Sequence, residues 1–207
     1  IKSESCDRIQ EIAFSLPKLL LTGKVQSTIC KLSPKDLSID DLLINQASQD
    51  LKLAMSHLSF IAHAYIWGDN APNESIPKVL ASPWVKVAEN QGRPPILSYA
   101  SYCLDNWFLI DPEESISLEN VGLINNFLGG VDEDWFVTIH VCIEDAAADA
   151  IAACAEISML DTDSPENESM DLLKRIVTSM KKVNEIFSRM PEKCDPFIYY
   201  NRVRPYI

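Results

Sequence analysis

The sequence predicts an all-α protein, and three observations carry that reading. Glycine is scarce, at 6 of 207 residues, and no Asn-Gly or Asp-Gly pair stands where a tight hairpin would turn. No long stretch alternates apolar and polar residues, as a half-buried strand would. Apolar residues recur instead at steps of three and four, the spacing of one helix face.

The elements follow in order. Residues 9–21 read as a first helix, ended by Gly23 and kinked or divided at Pro17. Residues 50–67 form a longer helix with Leu51, Met55, Leu58, Ala62 and Tyr65 as its buried stripe and Gly68 as its stop. The stretch "GDNAPNESIP" is a turn. Pro94-Pro95 opens a third helix over 96–107, and 115–128 is expected to be helical up to Gly129-Gly130. A long helix then runs to about residue 160, with Asp132, Glu133 and Asp134 at the positive end of its dipole. "DTDSPENES" breaks the chain, with Ser164 as cap and Pro165 as first helical residue. Met170, Leu173, Ile176, Val177, Met180, Val183, Phe187 and Met190 then make a regular apolar face, read as core, and Pro191 ends that helix. Asp195-Pro196 starts a last one. The best domain break is Gly129-Gly130, between a small helical domain (1–129) and the first long helices of a larger one (130–207).

Composition narrows the function classes. Hydrophobic residues make up 47% of the chain, enough for a sizeable core, and the net charge of −12 disfavours a nucleic-acid partner. No apolar run reaches the roughly 18 residues of a membrane span. Six cysteines (Cys6, Cys30, Cys103, Cys142, Cys154, Cys194) form no C-x-x-C and lie near no His at zinc-finger spacing, which points to a reducing, cytoplasmic setting. The triplets at Asn73 and Asn167 match glycosylation acceptors but carry little weight without a secretion signal.

His140 is the unusual residue. It sits halfway along the apolar, alanine-rich helix of "GGVDEDWFVTIHVCIEDAAADAIAACAEI", on one face with Phe136, Ile143 and Ala147. It reads either as a core histidine bonded to a neighbour's carbonyl or as part of a pocket in which it touches a ligand. His57 and His63 read as core residues. Glu144 and Asp145 point about 100° apart on a helix, so they do not act on one atom.

Four stretches resemble the indoleamine 2,3-dioxygenase family of haem enzymes: "IAHAYIWG" (61–68), "RPPILSYASYCLDNW" (93–107), "DWFVTIHVCIEDAAADAI" (134–151) and "DPFIYYNRVRPYI" (195–207). The likeness runs in the same order along nearly the whole chain. It implies haem b as cofactor, and L-tryptophan or a related indole with O2 as substrates. It places Phe136 against the indole above the haem, and Tyr99 and Tyr102 along the distal wall. Tyr199 falls at a pocket phenylalanine, and Arg204 at the arginine that pairs with the substrate carboxylate. His140 falls at the distal position, where mammalian members have a small hydroxyl residue. In the sister family, tryptophan 2,3-dioxygenase, a histidine there bonds the indole N–H, and His140 is expected to do the same.

The resemblance also implies that the haem-ligating histidine lies beyond Ile207, so that these residues are the N-terminal half of a longer chain. The expected reaction is oxidative cleavage of the indole 2,3 bond to N-formylkynurenine. Two alternatives stay open: a same-fold haem enzyme with other tryptophan chemistry, as in pyrrolnitrin biosynthesis, and a non-enzymatic haem- or indole-binding protein.

Overall fold

In the computed structural model the structure describes residues 4–45, 48–68, 71–161 and 165–207. The fold is helical, with one small two-stranded sheet. Helices α1 (Glu4–Phe14) and α2 (Leu16–Leu21) are one predicted helix divided at Pro17, whose ring suits the first turn of α2 but not a helix interior. Short helices α3 (Val25–Ile29) and α4 (Asp40–Asn45) lead to α5 (Ser48–Trp67).

Helix α5 is the central post of the molecule. The expected stripe from Leu51 to Tyr65 is buried, but so is every residue from Ala54 to Ala62, because helices pack on several sides of it. Its buried polar side chains are therefore hydrogen-bonded. Ser56 Oγ donates to the Ser101 carbonyl at 2.9 Å, and Ser59 Oγ accepts from Trp84 Nε1 at 3.0 Å. His57 Nδ1 donates to Asn125 Oδ1 at 2.6 Å, and burial pushes its pKa down to about 4, so it stays neutral. The carbonyls of Tyr65 and Ile66 at the end of α5 are met by the side chain and the backbone N–H of Asn73. Helix α6 (Lys78–Asn90), which the sequence reading passed over, packs along α5.

Two expected helices are replaced by other structure. Over 96–107 there is a single π-helical turn (Ala100–Leu104), and the chain then enters strand β1 (Trp107–Leu109). Over 115–128 the regular element is strand β2 (Val121–Leu123), antiparallel to β1 with Phe108 opposite Gly122. Asparagine side chains explain both breaks, because they compete for backbone groups that a helix would use. Asn106 Nδ2 donates to the carbonyls of Tyr102 and Asn125, and its Oδ1 accepts from Asn125 N–H. Asn120 accepts from Asp111 N–H and donates to the carbonyls of Asp111 and Ser115. At Gly122 a Cβ would fall 2.7 Å from the Phe108 ring, so the ring lies directly over the bare strand.

Helix α7 (Val131–Ser158) follows Gly129 and Gly130, whose φ of 69° and 112° make the turn. Its Val137, Val141 and Cys142 join the core built by the preceding helices, so that core runs across the glycine pair. Trp135 and Ile139 meet Cys194 in a second cluster. Helix α8 (Glu166–Ser188) returns along α7, and the position expected of Ser164 lies outside the described residues; Pro165 precedes the helix rather than opening it. The reading of the α8 methionine face as core is overturned. Met170, Leu173, Val177, Met180 and Phe187 are about half exposed, from 48% to 52%. Leu172 and Ser179 are the buried positions, and Ser179 Oγ donates to the Ala146 carbonyl at 2.6 Å. Arg175 ties the pair further through Asp149 and Glu156. The chain then passes a 3-10 turn at Met190–Glu192 into α9 (Pro196–Ile198), capped by Asp195, and continues through a π-turn (Tyr199–Val203) and a 3-10 turn (Arg204–Tyr206). No helix among the described residues is long and apolar enough to cross a membrane.

Candidate active site

A cavity of about 620 Å³ opens between the π-turn at Ala100–Leu104, the first half of α7 and the segment from Met190 to Ile207. Tyr99, Tyr102, Phe136, His140, Tyr199 and Arg204 all line it. Leu97, Cys103, Cys194, Tyr200 and Ile207 are also on its wall and were not expected there, and Met190, expected in the core, lines it too. A second cavity, of about 530 Å³, is a charged groove with Glu119, Asp149, Lys182 and Arg189 on its walls and holds none of the six.

His140 is bonded to a carbonyl of its own helix and lines the cavity. Its Nδ1 lies 2.7 Å from the Phe136 carbonyl one turn earlier. A carbonyl only accepts, so Nδ1 donates, and in the neutral ring Nε2 is left as an acceptor. The ring is half-buried and lines the cavity. Phe136 is packed between two rings, with centroids 4.2 Å from both His140 and Tyr199.

The tyrosines are held from different sides. Tyr102 is buried, and its hydroxyl lies 3.3 Å from that of Tyr199. Burial raises the pKa of both above the ordinary tyrosine value; Tyr199 pushes Tyr102 further up, while the hydrogen bond from Tyr102 works against the rise at Tyr199. Tyr99 stands edge-on to His140, at 5.8 Å and 72°, and its hydroxyl donates to Glu144 Oε1 at 2.9 Å. Glu144 has a structural part here, as the partner of the Tyr99 hydroxyl, and does not itself line the cavity. Its position one turn beyond His140 was the available signal. Asp145 lines the charged groove instead, so the two carboxylates do not converge. Burial pushes the Cys103 thiol up to about 12 and raises Cys194, so both contribute apolar wall.

Arg204 stacks over the Tyr200 ring at 5.3 Å. Among the described residues no carboxylate lies within ion-pairing distance of it, in a chain of net charge −12. The segment that carries it is pinned to the start of α7, where Asp132 Oδ1 accepts from Asp195 N–H at 2.7 Å.

The profile of the family described as "IDO: Indoleamine 2,3-dioxygenase" matches residues 2–207. The chain belongs to the indoleamine 2,3-dioxygenase family. It is 30% identical to indoleamine 2,3-dioxygenase of Saccharomyces cerevisiae over 215 residues, covering 100% of this chain and 47% of the relative. It is 32% identical to indoleamine 2,3-dioxygenase 1 of Rattus norvegicus over 198 residues (95% and 47%) and 32% identical to that of Mus musculus over 202 residues (95% and 47%). The chain thus spans about half the length of the curated relatives it matches.

Indoleamine 2,3-dioxygenases are in general haem-dependent. The cavity wall is mainly aromatic and apolar, suited to a flat ligand, with an acceptor at His140 Nε2 and a cation at Arg204 among the described residues lining it. None of the three histidines offers itself to an iron at this cavity other than His140. His57 is buried in the α5 core, and His63 has both ring nitrogens engaged, by the Tyr206 carbonyl at 2.9 Å and the Leu97 N–H at 3.1 Å.

Proposed function

We propose that these residues form the substrate-facing part of a haem-dependent dioxygenase that opens the indole 2,3 bond of L-tryptophan, with O2, to N-formylkynurenine. One observation carries the reading. Residues as far apart as Tyr99 and Arg204 meet around one cavity and supply the three contacts a tryptophan needs: an aromatic wall, an acceptor and a cation. Bound haem supplies the activation of O2. We assign the iron's histidine to sequence outside these 207 residues, because His57 and His63 are engaged in the core and His140 faces the substrate side.

The chain's own residues bind and orient. Phe136, backed by Tyr199, presents a flat face to the indole. His140 Nε2 accepts the indole N–H, with its tautomer set by the Phe136 carbonyl. The Arg204 guanidinium pairs with the substrate carboxylate through two parallel bonds, in a plane kept by Tyr200. Holding the substrate by its indole N–H and its carboxylate fixes the place of the ring's 2,3 bond in the cavity, and the apolar wall keeps water from that bond.

The full-length protein, loaded with haem and reduced, is expected to consume one O2 for each N-formylkynurenine formed from L-tryptophan. Haem binding with no oxygenated indole product would move the assignment to other tryptophan chemistry. The role of His140 is tested by His140→Ala with 1-methyl-tryptophan, which has no N–H to donate. Wild type is expected to discriminate strongly against the methylated ring, and the mutant to discriminate about tenfold less, the worth of roughly one hydrogen bond plus the room gained. A mutant that melts lower yet keeps the full preference would make His140 a packing residue.

A further inference from the structure

We infer that His63 is a positioning residue of the pocket, a strut that sets the spacing between the wall carrying Tyr99 and the segment carrying Arg204. The inference rests on the reading of the cavity as a tryptophan site. His63 stands on α5, the most completely buried helix, and its ring packs edge-on to Trp84 at 6.4 Å and 85°. Its two nitrogens hold backbone atoms of two different walls. Nδ1 donates to the Tyr206 carbonyl at 2.9 Å, and Nε2 accepts from the Leu97 N–H at 3.1 Å. A carbonyl only accepts and an amide N–H only donates, so a single neutral tautomer satisfies both.

The two anchored atoms bracket the site. Leu97 is two residues before Tyr99, and Tyr206 is two residues after Arg204. Leu97, Tyr99, Arg204 and Ile207 all line the cavity. Tyr206 is held a second time, by its ring stacked on Phe127 at 5.4 Å and 21°. Arg204 itself has only the Tyr200 ring beside its guanidinium among the described residues, so its side chain does not set its own place. The backbone sets it, and the backbone is tied to α5 through His63. Without the ring, the Arg204 turn loses its hydrogen bond to α5 while the Tyr99 wall keeps the one from Ser56 to the Ser101 carbonyl, so the spacing between the two is less tightly set and the guanidinium is spread over positions that match the carboxylate less well.

The test compares L-tryptophan with tryptamine, which keeps the indole and lacks the carboxylate, by calorimetric binding to the full-length haem-loaded protein. His63→Ala is expected to weaken L-tryptophan binding by about threefold to tenfold and tryptamine by less than about twofold. His63→Gln is expected to recover most of the loss, because its amide offers one donor and one acceptor. The double variant His63→Ala/Arg204→Leu is expected to bind L-tryptophan no more weakly than Arg204→Leu alone. Where His63→Ala does not fold, His63→Leu, which keeps bulk but neither bond, takes its place. Equal losses for both ligands, full additivity with Arg204→Leu, or no recovery in a His63→Gln protein of unchanged melting temperature overturns the inference while the tryptophan reading stands. If Arg204→Leu itself does not separate the two ligands, the carboxylate reading fails, and this inference falls with it.

Discussion

Arg204→Leu is expected to raise KM for L-tryptophan by about tenfold to a hundredfold, the worth of one charge-assisted carboxylate pair, and to leave KM for tryptamine near its wild-type value. The guanidinium lines the open cavity and stacks over the Tyr200 ring. It is exposed and, among the described residues, forms no ion pair, so the substitution removes no internal support. Unfolding in urea should therefore shift by less than about 0.5 kcal/mol, as for surface substitutions generally. The split between substrates carries the test, because a loss of packing around Tyr200 would weaken both alike. Equal rises in KM would make Arg204 a structural residue.

Glu133→Ala is expected to cost about 3–5 kcal/mol of stability, a large fraction of what holds a domain together. Glu133 is 1% exposed, and its carboxyl accepts three backbone N–H bonds, from Phe127 at 2.7 Å and from Leu128 and Gly129 at 3.0 Å. Burial raises its pKa, and the three donors oppose that rise. No helix or strand partners those N–H groups, so removing the carboxyl strands them; Phe127 is buried, Leu128 half-buried and Gly129 exposed, and a stranded buried donor costs about 1–3 kcal/mol. Glu133→Gln should cost less, since its one carbonyl oxygen serves part of the set while its NH2 opposes the remaining donor. Urea denaturation of the full-length variants checks the order. A loss below about 1 kcal/mol for Glu133→Ala would show that the turn is held by other means.

These acidic residues show where the sequence was legible and where it was not. Asp132, Glu133 and Asp134 were read as charges at the positive end of a helix dipole, which explains their place on α7 but not their partners. Each reaches a different piece of backbone or side chain: Asp195 N–H, the turn at 127–129, and Asn126 at 2.6 Å. The pair Asn106 and Asn125 behaves likewise. Nothing in the spacing of apolar residues announces that their amides replace helix bonds and turn 96–107 and 115–128 into a π-turn and two strands. The six pocket residues were reached through resemblance; their own spacing marked only Phe136 and His140 as neighbours.

What the sequence determined by itself was local. Periodicity located α5, α7 and α8, Pro17 divided the first helix, and the Phe136–His140 step fixed which face of α7 carries the imidazole. Those features depend on residues within a turn or two of each other, and 3.6-residue geometry relates them directly. The tertiary structure alone decided what lies against each face. The methionine face of α8 is as periodic as the stripe of α5, yet one is half exposed and the other buried, because periodicity reports that a face is apolar and not that anything covers it. It also placed His140 at the cavity and His63 between two backbone segments beside it. The bond from His63 to the Tyr206 carbonyl joins residues 143 apart, and a contact over that separation exists only once α5 and the terminal segment have been packed together.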